Sequence, residues 1–295
     1  MRGEKAMTSV RLSDGATIEA AISGAGRPVV FVHGWAMHGG SFAAQARGLS
    51  GASKVIAYDL RGHGNSACKG SAPTVEELAG DLRALFDQLD LHDAVCVGWS
   101  MGAMVAWAAM ADAAFAARVS GLAIIDMSPR ISNDSTWRLG LSDGRRPLAT
   151  IKAAEAMRED WPAMVRRFVP RIFAAENEQR LAPLIARMIE EASRLDADVM
   201  ASLWESMAVQ DFRAVIRHIS VPMLVMHGEK SRLYPAATSE HIARQAQNAE
   251  LSRFRTCGHA PHLEEPDEFN RRLGRFIKAL PSAALSHAPS IATAG

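Results

Sequence analysis

Gly98-Trp99-Ser100-Met101-Gly102 is the stretch of this chain best suited to nucleophilic chemistry. Before it runs Val95-Cys96-Val97, short, apolar and rich in β-branched residues, which reads as a buried strand. After it runs Met104 to Met110, Ala-rich and free of Gly and Pro, which reads as a helix. A strand that turns at once into a helix forces its hinge residue into a strained backbone conformation. Glycines on either side let the strand and helix close in. The Ser100 hydroxyl then stands clear of the backbone at a helix N-terminus, where developing negative charge is favoured. A serine hydroxyl is a weak nucleophile. It needs a base within hydrogen-bond reach and a third group to orient that base. Of ten histidines, His259 fits best, on the Gly258-containing loop that follows the last expected strand. His262 is its rival, but Pro261 redirects the chain between them, and a structural role suits His262 better. His33 reads as a loop brace, and His63 and His227 as turn and strand-end residues.

These side chains need a frame, and the hydropathy pattern supplies one. Residues 16–22 alternate weakly, as in an edge strand of an opening hairpin. Pro28 to Val32 is a continuous apolar run, expected to be a strand buried on both faces and ending at His33-Gly34-Trp35. A helix is expected over 41–50 and a strand over 54–58. Thr74 followed by Glu77 spells a capping box before a helix reaching about Asp90. Val119 to Ile125 is a further strand, ending at Asp126-Met127-Ser128-Pro129. Short apolar strands alternating with helices mean an α/β fold with a doubly wound, mostly parallel sheet. The rhythm stops over 131–218, which reads as a helical insert with Pro147, Pro162, Pro170 and Pro183 marking starts or breaks. It resumes with strands at 221–228 and 250–255 and a last helix over 266–279. The expected organisation is therefore a core of 1–130 and 219–280, a helical cap of 131–218 over the strand ends, and a disordered tail of 281–295 rich in Ser, Ala and Pro.

Composition narrows the partners. The chain has 295 residues and a formal net charge of +1, which gives no reason to expect nucleic acid or an anionic membrane surface. Cys68, Cys96 and Cys257 are scattered without a C-x-x-C pair, pointing to a reducing, cytoplasmic setting. No apolar run reaches the roughly 18 residues of a membrane span, and no signal-peptide core opens the chain. No H-E-x-x-H, paired C-x-x-C or G-x-x-x-x-G-K is present, so no metal or cofactor is expected.

His33-Gly34-Trp35, Gly98-Trp99-Ser100-Met101-Gly102 and Gly258-His259, in this order and on these strands, resemble the α/β-hydrolase superfamily over about residues 16–280. The resemblance implies acyl-transfer chemistry through an acyl-enzyme. It also implies an oxyanion hole made by the backbone N–H groups of Trp35 and Met101. In many members the acid is an Asp three residues after the glycine ending the penultimate strand. In Gly228-Glu229-Lys230-Ser231 that position is Ser231, which cannot hold an imidazolium by charge. Asp126, ending the strand after the nucleophile helix, is a substitute. A subgroup of small bacterial acyl esterases and their mitochondrial relatives carries the same I-D-x-S/A-P segment with a serine in the later frame. The expected triad is Ser100, His259 and Asp126. Glu229 is the runner-up acid, and a plain turn cap is the bland alternative for Asp126. Asp59 and Arg61 of the Asp59-Leu60-Arg61-Gly62-His63-Gly64 loop read as structural.

The insert is expected to select the substrate. Trp99, Trp137, Trp161, Met164 and Phe168, with Trp204 and Met207, are candidates to line an apolar acyl pocket, although most must be plain core. Arg158, Arg166, Arg167 and Arg171 could dock an acidic acyl carrier or a CoA phosphate, against the blander reading of a solvated face. The leading reading is a serine carboxylesterase of small to medium acyl esters. A methyl-ester or thioester hydrolase of carrier-bound acyl chains is the narrower alternative, because the same motifs are similar to pimeloyl-carrier methyl ester esterases. A cofactor-free haloperoxidase or acyltransferase, and a non-catalytic binding protein, complete the set. A haloalkane dehalogenase is disfavoured, since it needs a carboxylate at position 100.

Overall fold

A computed structural model describes residues 6–281. The tail expected over 281–295 thus lies, but for Pro281, outside the described residues. Eight strands form one sheet: β1 (Ala6–Arg11), β2 (Thr17–Ser23), β3 (Arg27–Val32), β4 (Ser53–Tyr58), β5 (Ala94–Trp99), β6 (Val119–Ile125), β7 (Met223–Gly228) and β8 (Ala249–Phe254). Their order is β1-β2-β4-β3-β5-β6-β7-β8. β2 is antiparallel to β1 and β4, and every pairing from β4 to β8 is parallel. The sheet is thus doubly wound about β3 and β5, where ligands collect beyond the carboxyl ends of the strands.

The apolar runs fare as expected. Every residue of β5 and β7 is buried. Thr74 and Glu77 form the full capping box that starts the helix Val75–Gln88. One expectation needs correction: β2 is not an edge strand, because β1 pairs along its outer side.

Between β6 and β7 the described residues contain no strand. Helices Pro147–Glu159, Trp161–Phe168, Glu178–Ser193, Ala197–Val209 and Arg213–His218 occupy that stretch. Pro147 and Pro162 stand in first turns, where a missing N–H leaves no intrahelical bond unmade. Pro183 is a second correction. It neither starts nor breaks a helix but lies inside Glu178–Ser193. The three cysteines are free. No helix among the described residues is long and apolar enough to cross a membrane.

Candidate active site

Parallel register builds the site as a staircase. Ser100 N donates to Ile125 O at 3.0 Å, and Asp126 N donates to Met226 O at 2.9 Å. Each strand end is thereby tied to its neighbour, so Ser100 (after β5), Asp126 (after β6) and His227 (on β7) share one rim. Ser100 has φ 53° and ψ −124° and caps the helix Met101–Met110. The flanking glycines are required by close approach. A Cβ at Gly98 would lie 2.6 Å from Ala103 Cα, and one at Gly102 would run into the Val32 carbonyl. Among the described residues neither Met101 N nor Trp35 N has a protein acceptor, as the first turn of a helix and an open loop allow.

The loop carrying Trp35 is braced from behind. His33 Nε2 accepts from Leu60 N at 2.9 Å, so its Nδ1–H donates to Gly34 O at 2.8 Å. His63 Nε2 accepts from Ala36 N at 3.2 Å, so its Nδ1–H donates to Arg61 O at 3.1 Å. Burial lowers both imidazoles to about 3, and they stay neutral. Asp59 accepts from Gly39 N and Asn65 N, and Arg61 grips Asp81 with two nitrogens, both structural as expected. The Trp35 ring packs against Trp161, Phe168 and Trp204, and its indole donates to Met200 O at 2.9 Å. The helical insert thus clamps the loop from above.

Asp126 is the hub. Its Oδ2 lies 2.7 Å from His259 Nδ1 and 2.6 Å from Ser231 Oγ, and its Oδ1 lies 2.6 Å from His227 Nδ1. Its backbone is in the left-handed region, φ 43°, which a non-glycine residue holds only where surrounding structure over-determines it. Burial by itself would raise its carboxyl. Hydrogen bonds from His227 and then His259 outweigh that and hold it at about 2. His259 gives its Nδ1–H to Asp126, leaving the Nε2 lone pair available as a base. His259 is buried, its ring against Trp99 and Tyr234, and Trp99 Nε1 donates to the His259 carbonyl at 2.9 Å. The His259 loop is pinned to the insert: His259 N donates to Ile172 O, and Glu264 accepts from Gly258 N and Ala174 N.

Ser100 opens into a narrow cavity of about 50 Å³ lined by Trp35, Met164, Phe168, Trp204, Met207, Leu233 and Tyr234. Ser142, Asp143, Arg145 and Arg171 form a polar rim.

Three pocket expectations are corrected. Trp99 lies beneath the site against His259 and His262. Trp161 stands behind Trp35 with its indole on Ala192 O. Trp137 bonds Arg130 O and packs on His241, away from the cavity. Where each indole finds its carbonyl fixes where the ring lies, and none of these three rings borders the cavity. Glu229, the runner-up acid, is exposed, and among the described residues the carboxylate bonded to His259 is that of Asp126. His262 is buried among Phe42, Trp99 and Phe269, a core residue as expected. His227 is the residue missed. The signal was available in the strands themselves: Ile125 pairs with Met226, which puts position 227 beside position 126.

The model of the alpha/beta hydrolase family matches residues 29–272. The chain belongs to that family. It is 27% identical to a pimeloyl-[acyl-carrier protein] methyl ester esterase of Nitrosospira multiformis, covering 86% of this chain and 96% of that one. It is 29% identical to the Vibrio cholerae protein of the same name, again over 86% of this chain and 96% of the relative. The fold of an esterase from Exiguobacterium antarcticum superposes with a TM-score of 0.85 at 24% identity, over 92% of this chain and 99% of that one.

Proposed function

We propose that this α/β-hydrolase is a serine carboxylester hydrolase, with Ser100 as nucleophile, His259 as general base and Asp126 as orienting acid. The observation that carries the reading is the 2.7 Å contact of Asp126 Oδ2 with His259 Nδ1, which fixes the tautomer that leaves Nε2 basic. His259 takes the Ser100 proton as Oγ attacks the ester carbonyl. The oxyanion of the tetrahedral intermediate falls to the N–H groups of Trp35 and Met101, each donor worth roughly 10²–10³ in rate. His259 then protonates the departing alkoxide, and water repeats the sequence on the acyl-enzyme. Residues 131–218 act as the cap that shapes the acyl cavity. Its small volume and apolar wall suit short acyl groups. Three unpaired cysteines fit a reducing, cytoplasmic setting.

A panel of p-nitrophenyl esters tests this. Ser100→Ala abolishes hydrolysis and fluorophosphonate labelling together; a variant that keeps wild-type turnover refutes the assignment.

A narrower reading, hydrolysis of a methyl ester on a carrier-bound acyl chain, is favoured by one feature besides the relatives' names. Arg166 and Arg167 are exposed with no acidic partner among the described residues, and Arg171 borders the cavity, whereas Arg158 is engaged by Glu205. Charge reversal of Arg166 and Arg167 then weakens only the carrier-linked substrate; equal losses on a small ester count against it.

A further inference from the structure

We infer that His227 is a positioning residue of this reaction, an imidazole that shares the Asp126 carboxylate with His259 and governs how firmly that carboxylate grips it. The inference rests on the proposed serine-esterase reading. His227 Nδ1 is 2.6 Å from Asp126 Oδ1, and the two side chains are 2% and 0% exposed. A carboxylate accepts and cannot donate, so the His227 nitrogen carries the hydrogen. No other side chain or backbone group bonds Oδ1 among the described residues, while Oδ2 takes both His259 and Ser231. His227 on Oδ1, together with Ser231 on Oδ2, therefore stops the carboxylate turning about its own axis. With Oδ1 held, Oδ2 must face His259.

The second consequence is electrostatic. A donor on Oδ1 draws charge from the carboxylate and loosens its hold on the imidazolium that His259 becomes during turnover. Withdrawing that donor concentrates charge on Oδ2 and favours the protonated ring. The ionisable groups facing this cluster are Asp126 at the end of β6, His227 on β7, Tyr234 on the following loop, and His259 and His262 on the loop after β8. Burial pushes the Tyr234 phenol up and His262 well down, so neither changes charge in the working range. A histidine that merely filled the core would be replaceable by any side chain of its size.

The test compares His227→Leu, which keeps bulk and loses the donor, with His227→Asn, whose amide nitrogen stands near the place of Nδ1. His227→Leu is expected to lower kcat about 10- to 100-fold, the scale seen when the hydrogen-bonded partners that orient metal-ligating side chains are removed. KM should change little, and the acid limb of kcat/KM should move to higher pH. His227→Asn is expected to restore most of kcat and return the limb toward the wild-type position. A folded His227→Leu with an unmoved limb overturns the inference, and so does His227→Asn behaving like His227→Leu. The wild type supplies a check that needs no variant: ¹⁵N-histidine labelling should show two strongly downfield imidazole N–H protons, from His227 and His259. A single such proton also overturns it. Ser100→Ala run in parallel separates the two readings. If that variant keeps turnover, the esterase site is wrong; if it is dead while the His227 variants match wild type, only the role of His227 falls.

Discussion

Ser231 Oγ donates a 2.6 Å hydrogen bond to Asp126 Oδ2. Ser231, on the loop after β7, thus supports a carboxylate that stands at the end of the neighbouring strand β6. The two positions lie against each other in space although 105 residues separate them in the chain. Asp126 Oδ2 takes both the Ser231 hydroxyl and His259 Nδ1, so the hydroxyl holds the oxygen that faces the imidazole.

Replacing the acid tests this directly. Asp126→Asn is expected to reduce turnover by about 10⁴, because the amide permits the wrong imidazole tautomer. Glu229→Gln, a change on an exposed side chain, should leave kcat/KM for a p-nitrophenyl ester at the wild-type value.

Removing the supporting hydroxyl should matter less for rate and visibly for stability. Ser231→Ala takes one donor from a buried carboxylate, a loss of about 1.5–3 kcal/mol for a hydrogen bond to a charged group. Urea unfolding of the variant measures it, and a stability equal to wild type would contradict the contact.

The two bracing histidines make stability depend on pH. His33 and His63 are lowered to about 3 by burial, below the unfolded value near 6.5. The unfolded chain therefore binds more protons between those limits, and stability falls as pH drops through about 6.5 toward 3. Asp126 adds to the decline only at its acid end: its lowered carboxyl contributes stability that is lost as pH falls through about 4 toward 2, so the histidines are read above pH 4. Urea midpoints at several pH values should show the decline, and His63→Leu, less stable at neutral pH, should show a shallower one.

Acyl-chain preference should follow the cavity wall. Met164 and Met207 line it, and Met164 has no polar contact to lose. Met164→Ala with Met207→Ala is expected to raise kcat/KM on longer esters relative to acetate, since each accommodated methylene is worth about 1–3 kcal/mol. A graded series of p-nitrophenyl esters reads the shift.

Gly102→Ala should be a folding defect, not a catalytic one. The added methyl meets the Val32 carbonyl, a backbone atom that cannot step aside. Forced overpacking of this kind lowers stability by about 1–3 kcal/mol or more, visible as a drop in Tm.

Much of this was readable along the chain because it is local. Apolar runs of strand length, the Thr74–Glu77 capping box and the glycines around Ser100 are decided by neighbours within a few residues, and the α/β order, the nucleophile elbow and the absence of an Asp at 231 follow from them. The tertiary structure decided what depends on distant partners. Which tryptophans line the cavity turned on where each indole N–H found a carbonyl: Trp204 bonds Thr150 O from the wall of the cavity, whereas Trp137 bonds Arg130 O away from it. That His227 is no ordinary strand-end residue turned on the pairing of β6 with β7, strands separated by the whole helical insert. A hydrogen bond between residues 101 positions apart leaves no periodicity in the sequence, because only the sheet register brings the two atoms to 2.6 Å.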